Sequence, residues 1–184
     1  AALAEALKAG QSALETLRAA VPPETRETET LANLNEIVRD VLDLSSHAFL
    51  AAGVTVSWVP QLTLPNLSAY PNRLRSMLKS LVDNAVEAMN TKGWTKRDLS
   101  IRTRSQNGEV IVEIEDSGPG VSGELRLKAF EPFYSTKKGN GHHLGTGLPA
   151  AQQVAIDHGG SIELGSSLRG GCIAQVILPL RRPG

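Results

Sequence analysis

The sequence predicts an α+β two-layer sandwich, with a mixed, mostly antiparallel sheet covered on one face by helices. Three observations carry that reading. Several segments alternate apolar and polar residues at the period of a strand, others repeat apolar residues at the period of a helix, and one pair of strands is joined by an Asn-Gly turn. Strands paired mainly through hairpins, with helices that must share one face, leave the two-layer arrangement as the natural architecture. The 184 residues, 41% hydrophobic and 21% charged, are enough for one core of ordinary size plus a short appendage, which argues against two full domains.

The chain opens with a heptad-like stripe of Leu3, Leu7, Leu14, Leu17 and Val21, interrupted at Gly10. The spacing leaves two readings open: an amphipathic helix packed on its own domain, or half of a dimerising hairpin. Pro22 and Pro23 end it, and the polar run Glu24 to Thr30 reads as a linker, so residues 1–30 are set apart from a domain at 31–184. Asn33 can cap a helix carrying Leu34, Ile37, Val38, Val41, Leu42, Ala48 and Phe49, with Gly53 at its end. A strand is expected over Val54 to Val59 and a second over Gln61 to Leu64. Pro71 can open the next helix without losing a needed donor. One face of that helix carries Leu74, Met77, Leu78, Leu81, Val82, Ala85, Val86 and Met89, and the other presents Ser80, Asn84 and Glu87 one turn apart.

Leu99 to Arg104 and Glu109 to Glu115 read as a hairpin turning at Asn107-Gly108. Asp116-Ser-Gly-Pro-Gly breaks the second strand. A short helix is expected over Glu124 to Phe130, then a long glycine-containing loop over Glu131 to Thr146, of a kind that is usually functional or mobile. A helix from Gly147 to His158 and strands at Ser161 to Gly165 and Cys172 to Leu178 complete the pattern, with Cys172 expected in the core.

Composition narrows the function. Nineteen basic and nineteen acidic residues give zero formal net charge, so no broad field exists to hold nucleic acid or an anionic membrane. A single cysteine cannot form an internal disulfide, no apolar run approaches the roughly 20 residues that span a bilayer, and no signal peptide is recognised, which together point to the cytoplasm. Seventeen glycines against seven aromatic residues (three Phe, two Trp and two Tyr) ask for an explanation in backbone terms.

Four features supply candidate chemistry: Asn84 in Leu-Val-Asp-Asn-Ala-Val-Glu-Ala-Met, Asp116-Ser-Gly118-Pro-Gly120 after a strand, Phe130-Glu-Pro-Phe133-Tyr-Ser-Thr-Lys137, and Gly145-Thr146-Gly147-Leu148 opening a helix. Each has a bland alternative. A helical Asn is often only solvated, Asp-x-Gly-x-Gly is often a plain turn, and Gly-x-Gly before a helix only suggests a phosphate contact. Their order and their placement on these elements favour function.

In this combination the chain resembles, over about residues 31–180, the ATP-binding domain shared by sensor histidine kinases, gyrase, Hsp90-type chaperones and mismatch-repair proteins, the GHKL or Bergerat fold. The resemblance implies that Asn84 coordinates Mg²⁺ bridging the nucleotide phosphates, a suitable role for a hard amide oxygen. It implies that Asp116 accepts a hydrogen bond from the adenine amino group while Gly118 and Gly120 let the backbone run beside the base. Glu87 faces the same site, with a solvent-facing role as its alternative. Phe130 and Phe133 would anchor a lid, Lys137 would reach phosphate oxygens, and Gly145, Thr146, Gly147 and Leu148 would close the lid over the phosphates. For Thr136 and Lys138 a solvated place in the lid is an equal alternative. Adjacent His142 and His143 lack the spacing to face one metal ion.

There are departures. Ser80 stands where many histidine kinases carry a second Asn, and His143 where a further glycine opens the last box. No nucleophilic histidine followed by an acidic residue and an Arg-Thr-Pro-like run is present: His47 falls in the domain itself and His158 in a His-Gly-Gly turn. The wording of Asn33-Leu-Asn-Glu-Ile-Val-Arg, Leu50-Ala-Ala-Gly-Val-Thr-Val-Ser-Trp58, Arg75-Ser-Met-Leu-Lys-Ser-Leu-Val-Asp-Asn-Ala, Arg97-Asp-Leu-Ser-Ile and Gly147-Leu-Pro-Ala is similar to the kinase-like C-terminal region of NifL-type regulators. These are flavin-containing sensors that restrain NifA, the activator of nitrogen-fixation genes. That resemblance implies binding of adenine nucleotide, ADP in particular, whose occupancy is passed to a NifA-like partner without phosphate transfer; a homodimer through the N-terminal helix is expected from the leucine stripe. The alternatives are the catalytic half of an active two-component histidine kinase, acting on a response regulator with its acceptor helix elsewhere, and a serine kinase of the anti-sigma-factor kind. Whether the chain is an enzyme is therefore open at this point.

Overall fold

Asn33 caps the first helix as its sequence position requires: its side-chain oxygen accepts the Asn35 amide hydrogen at 3.0 Å. The structure, a computed structural model, describes residues 27–120, 147–168 and 170–181. The N-terminal leucine stripe lies outside them. Helix α1 (Leu34–Ala52) ends at Gly53, whose φ of 65° is left-handed, while the Val54 amide turns back to the Phe49 carbonyl at 2.9 Å. Strand β2 (Thr55–Val59) follows, its Val56 and Trp58 packed against the core.

The strand expected over Gln61 to Leu64 does not form. Pro60 and Pro65 bracket the segment and remove ladder donors. Gln61 is instead pinned through its amide to Thr103 and through its side chain to Ser105, while Asn35 Nδ2 donates to its carbonyl at 2.9 Å. The neighbouring strand is β3 (Leu67–Ala69), paired antiparallel with β1 (Thr30–Ala32). Thr30, read as linker from its polar surroundings, therefore begins this small ladder.

Pro71 occupies the first turn of helix α2 (Pro71–Met89), which buries Leu74, Met77, Leu78, Leu81, Val82, Ala85 and Met89. Strands β4 (Asp98–Gln106) and β5 (Glu109–Asp116) form the expected hairpin. Asn107 and Gly108 both take positive φ, 52° and 78°, which matches the strand twist as a two-residue turn must. Helix α3 (Gly147–Asp157) leads into β6 (Ser161–Ser166) and β7 (Cys172–Pro179). The five-stranded sheet runs β2-β4-β5-β7-β6, parallel at β2–β4 and antiparallel elsewhere.

Register sorts the faces. Leu99, Ile101, Val110, Val112, Ile114, Ile162, Ala174, Val176 and Leu178 are buried in one cluster with the helices. The opposite face carries Arg102 and Arg104, paired diagonally with Glu115 at 3.7 Å and Glu113 at 3.3 Å, and Gln175 bonded to Glu113. Ile111, opposite Ile177, is buried on this polar face. The chain thus has the expected α+β Bergerat sandwich, helices on one side of a mixed sheet. Among the described residues no helix is long and apolar enough to cross a membrane.

Two contacts fix the direction of α3 against α2. Arg73, in the first turn of α2, pairs with Asp157 at the last residue of α3. This pairing, with Gln153 alongside, holds the Asp157 carboxyl below its ordinary range, so its stabilising contribution is present near neutrality and lost as pH falls below that range. His158 Nδ1 lies 2.7 Å from the Val154 carbonyl and so carries the proton, leaving Nε2 to accept the Tyr70 amide hydrogen at 3.1 Å. The start of α2 meets the end of α3, and the two helices are antiparallel.

Candidate functional site

The strand pattern that buries Val110, Val112 and Ile114 also turns Asp116 toward the helices, at the very end of β5. Its side chain is only 6% exposed. Oδ1 accepts from the Gly118 amide at 2.9 Å and the Cys172 amide at 3.3 Å. Oδ2 makes no hydrogen bond among the described residues. Burial raises the carboxyl above its ordinary range, opposed by those two amides and reinforced by Glu115. A buried carboxylate with one oxygen fixed by the backbone and the other unbonded is set to accept from a ligand donor.

The turn that follows is held rigidly. The Ser117 hydroxyl donates to the Lys96 carbonyl at 3.0 Å and accepts the Asp98 amide at 2.8 Å, and the Trp94 indole donates to the Ser117 carbonyl at 2.9 Å. Gly118 fits between Asp116 and α2: a Cβ there would come within 2.9 Å of Asp116 Oδ1 and 3.4 Å of the Ala88 carbonyl carbon. Gly120 takes φ 77° beside the Gly170 and Gly171 carbonyls. The motif read from the sequence is therefore a fixed platform joined to α2 at Ala88, one turn beyond Asn84.

Asn84 is half-buried, and its amide makes no hydrogen bond among the described residues. Glu87 is likewise half-buried on the same helix. From the Arg73–Asp157 contact, Asn84 lies eleven residues along α2, about 16 Å at 1.5 Å per residue. Gly147 lies ten residues back along α3, about 15 Å. Antiparallel packing thus brings Asn84 to the same end of the helix pair as Gly147 and Leu148, the first residues of α3. Phe130, Phe133, Lys137, Gly145 and Thr146 lie outside the described residues, as do the short helix and loop expected over Glu124 to Thr146.

The sequence reading passed over Gly171. A Cβ there would overlap the Asp116 carbonyl oxygen and stand 3.0 Å from Oδ1, so only glycine lets β7 approach the end of β5 this closely. The pair Gly170-Gly171 before a strand was its only signal. Cys172, expected in the core, is half-buried and contributes its amide to Asp116. A hollow of about 190 Å³ is lined by Ser57, Asp98, Ser100, Arg102 and Glu115 of the polar sheet face and reaches Asp116 and Ser117 at the end of β5; Asn84 is not among its lining residues. Among the described residues no cluster of His, Cys, Asp and Glu forms a metal site. A side-chain amide oxygen such as that of Asn84 would be a suitable hard donor to Mg²⁺, an ion that keeps several of its waters.

Residues 69–182 match the family model described as histidine kinase-, DNA gyrase B-, and HSP90-like ATPase. The chain is 28% identical over 152 residues to the C4-dicarboxylate transport sensor protein DctS of Rhodobacter capsulatus, covering 83% of this chain and 23% of that protein. It is 30% identical over 149 residues to the sensor histidine kinase ZraS of Klebsiella oxytoca, covering 80% and 31%. The chain thus spans less than a third of these curated relatives. Among solved structures, the nucleotide-free catalytic domain of histidine kinase ThkA superposes with a TM-score of 0.73 at 27% identity, covering 84% of this chain and 97% of that one. ThkA in complex with the response regulator protein TrrA gives 0.69 at 25% identity, covering 94% and 49%.

Proposed function

The chain belongs to the histidine kinase-, DNA gyrase B- and HSP90-like ATPase family as a histidine-kinase-type ATP-binding domain, and on that premise we propose that it binds ATP or ADP with Mg²⁺ between Asp116 and Asn84. The observation that carries this reading is the unbonded Oδ2 of buried Asp116. Adenine presents an amino donor where guanine presents a carbonyl acceptor, so a lone acceptor selects adenine. Gly118 and Gly120 give the base a backbone wall. Asn84 holds Mg²⁺, which when bound neutralises phosphate charge. Gly147 and Leu148 face the phosphates at the start of α3, where helix amides favour anions. Glu87 flanks the metal side, and Phe133, Lys137, Gly145 and Thr146 complete the phosphate cover.

Asn84→Ala is expected to remove the Mg²⁺-dependent part of ATP affinity, about tenfold, while metal-free binding stays near wild type. Calorimetry with and without Mg²⁺ measures both, and an equal loss in the two conditions refutes the metal role.

In the longer protein, occupancy of this site controls a partner without phosphate transfer, as in the NifL-type regulators whose wording the sequence resembles. The partner is then a NifA-like activator of nitrogen-fixation genes, and the stripe at Leu3 to Val21 supports a homodimer. Ser80, in place of a second Asn one turn before Asn84, favours this reading. The relatives favour a second one, the catalytic domain of an active sensor histidine kinase whose acceptor histidine lies outside this chain and whose partner is a response regulator. Labelling the longer protein with radioactive ATP separates them. Acid-labile, base-stable phosphate on histidine establishes the kinase; nucleotide-dependent partner binding with no label establishes the sensor.

A further inference from the structure

The start of α2 is held by groups from outside its own segment. Tyr70, at its N-cap, makes no side-chain capping bond, and Pro71 has no N–H, so Asn72 and Arg73 carry the first amides that need acceptors. One carboxylate takes both. Asn72 donates to Glu27 Oε1 at 2.6 Å and Arg73 to Glu27 Oε2 at 3.2 Å. A carboxylate there also meets the partial positive charge of the helix end. Glu27 lies just before β1 in the chain. The same helix end is tied to α3 by the Arg73–Asp157 pair and by His158 at the Tyr70 amide. This is the closed end of an antiparallel helix pair whose other end carries Asn84 and Gly147.

We propose that Glu27 is a positioning residue for the nucleotide site: by taking both first-turn amides it fixes the closed end of the α2–α3 pair and thereby the placement of Asn84 against Gly147. The proposal rests on the reading of Asn84 as the Mg²⁺ ligand. When Glu27 leaves this position, two helix amides lose their acceptor and the first turn of α2 opens. Coupling is reciprocal: nucleotide that grips the far end favours the capped arrangement by the same factor.

The test uses the full 184-residue chain, with ATP affinity measured by calorimetry in Mg²⁺ and in excess chelator. Glu27→Ala is expected to weaken Mg²⁺-dependent binding about fivefold, the scale of a lost helix cap, with metal-free affinity unchanged. Glu27→Gln keeps one acceptor oxygen and is intermediate. Glu29→Ala, which removes a carboxylate from the same segment that accepts from the Ser68 hydroxyl of β3, behaves as wild type. Nucleotide slows hydrogen exchange at the Asn72 and Arg73 amides in wild type and not in Glu27→Ala. Wild-type Mg²⁺-dependent affinity in Glu27→Ala, or equal loss with and without metal, overturns the coupling while leaving the site reading in place. Failure of the wild-type chain to bind ATP at all overturns both.

Discussion

Asp116→Asn lowers ATP and ADP affinity by about 10- to 100-fold, the scale of one hydrogen bond to a charged acceptor. The substitution is nearly isosteric, so the loss comes from donor and acceptor placement. The Gly118 and Cys172 amides both require an acceptor at Oδ1. The new amide must therefore turn its oxygen toward them, which puts its NH₂ where Oδ2 stood, donor against the adenine amino donor. Guanine, with an acceptor there, gains relative to adenine. Competition titration with ATP and GTP measures the shift, and an unchanged ratio contradicts the base assignment.

The same substitution leaves the nucleotide-free fold more stable near neutral pH. Because burial raises the Asp116 carboxyl above the ordinary value of 3.8, the folded state holds a proton longer than the unfolded chain. Stability from this group therefore falls as pH rises from the unfolded value through the folded one, and above it the buried charge is a full penalty. Asn carries no charge and removes that fall. A thermal melt at pH 7 is expected to shift upward in Asp116→Asn, so that stability and affinity move in opposite directions. A downward shift would mean that the carboxylate holds the turn together and has no cost to relieve.

The second large effect is expected at Gly171. A methyl group there overlaps the Asp116 carbonyl oxygen, and neither backbone can retreat: β5 and β7 are laddered from Glu109 to Glu115, and Asp116 is fixed by the Ser117 clasp. Gly171→Ala is expected to cost about 3 kcal/mol by urea denaturation and to weaken adenine binding as the end of β5 shifts. Gly165→Ala in the same hairpin is the control. A Cβ there meets only Ile173 Cγ2, at 3.1 Å, and a side chain can yield, so the cost is about 1 kcal/mol or less. Equal costs at the two positions contradict the close-approach argument.

Where the candidate residues fall on their elements is largely local in sequence and is legible in it. Asn84 stands on the polar side of a helix whose apolar face is unambiguous, Asp116 ends a strand fixed in phase by Val110, Val112 and Ile114, and Asn107-Gly108 can hardly be anything but a hairpin turn. The rest depends on partners far along the chain. Leu67–Ala69 and Thr30–Ala32 are too short to show a period and exist because they pair with each other. Gly171 reads as an ordinary loop glycine until Asp116 is beside it. Glu27 looks like one charge in a polar run, and only the fold brings it to the first turn of α2. The glycine excess also acquires partial meaning: Gly118, Gly120 and Gly171 sit where backbone must pass close to Asp116 or bend beside it.

The most direct test of the adenine-nucleotide reading is calorimetric titration of the wild-type chain with ATP and with GTP in the presence of Mg²⁺. A lone acceptor at Asp116 predicts ATP binding at least about tenfold tighter than GTP. Equal affinities, or no heat of binding with ATP, would contradict it.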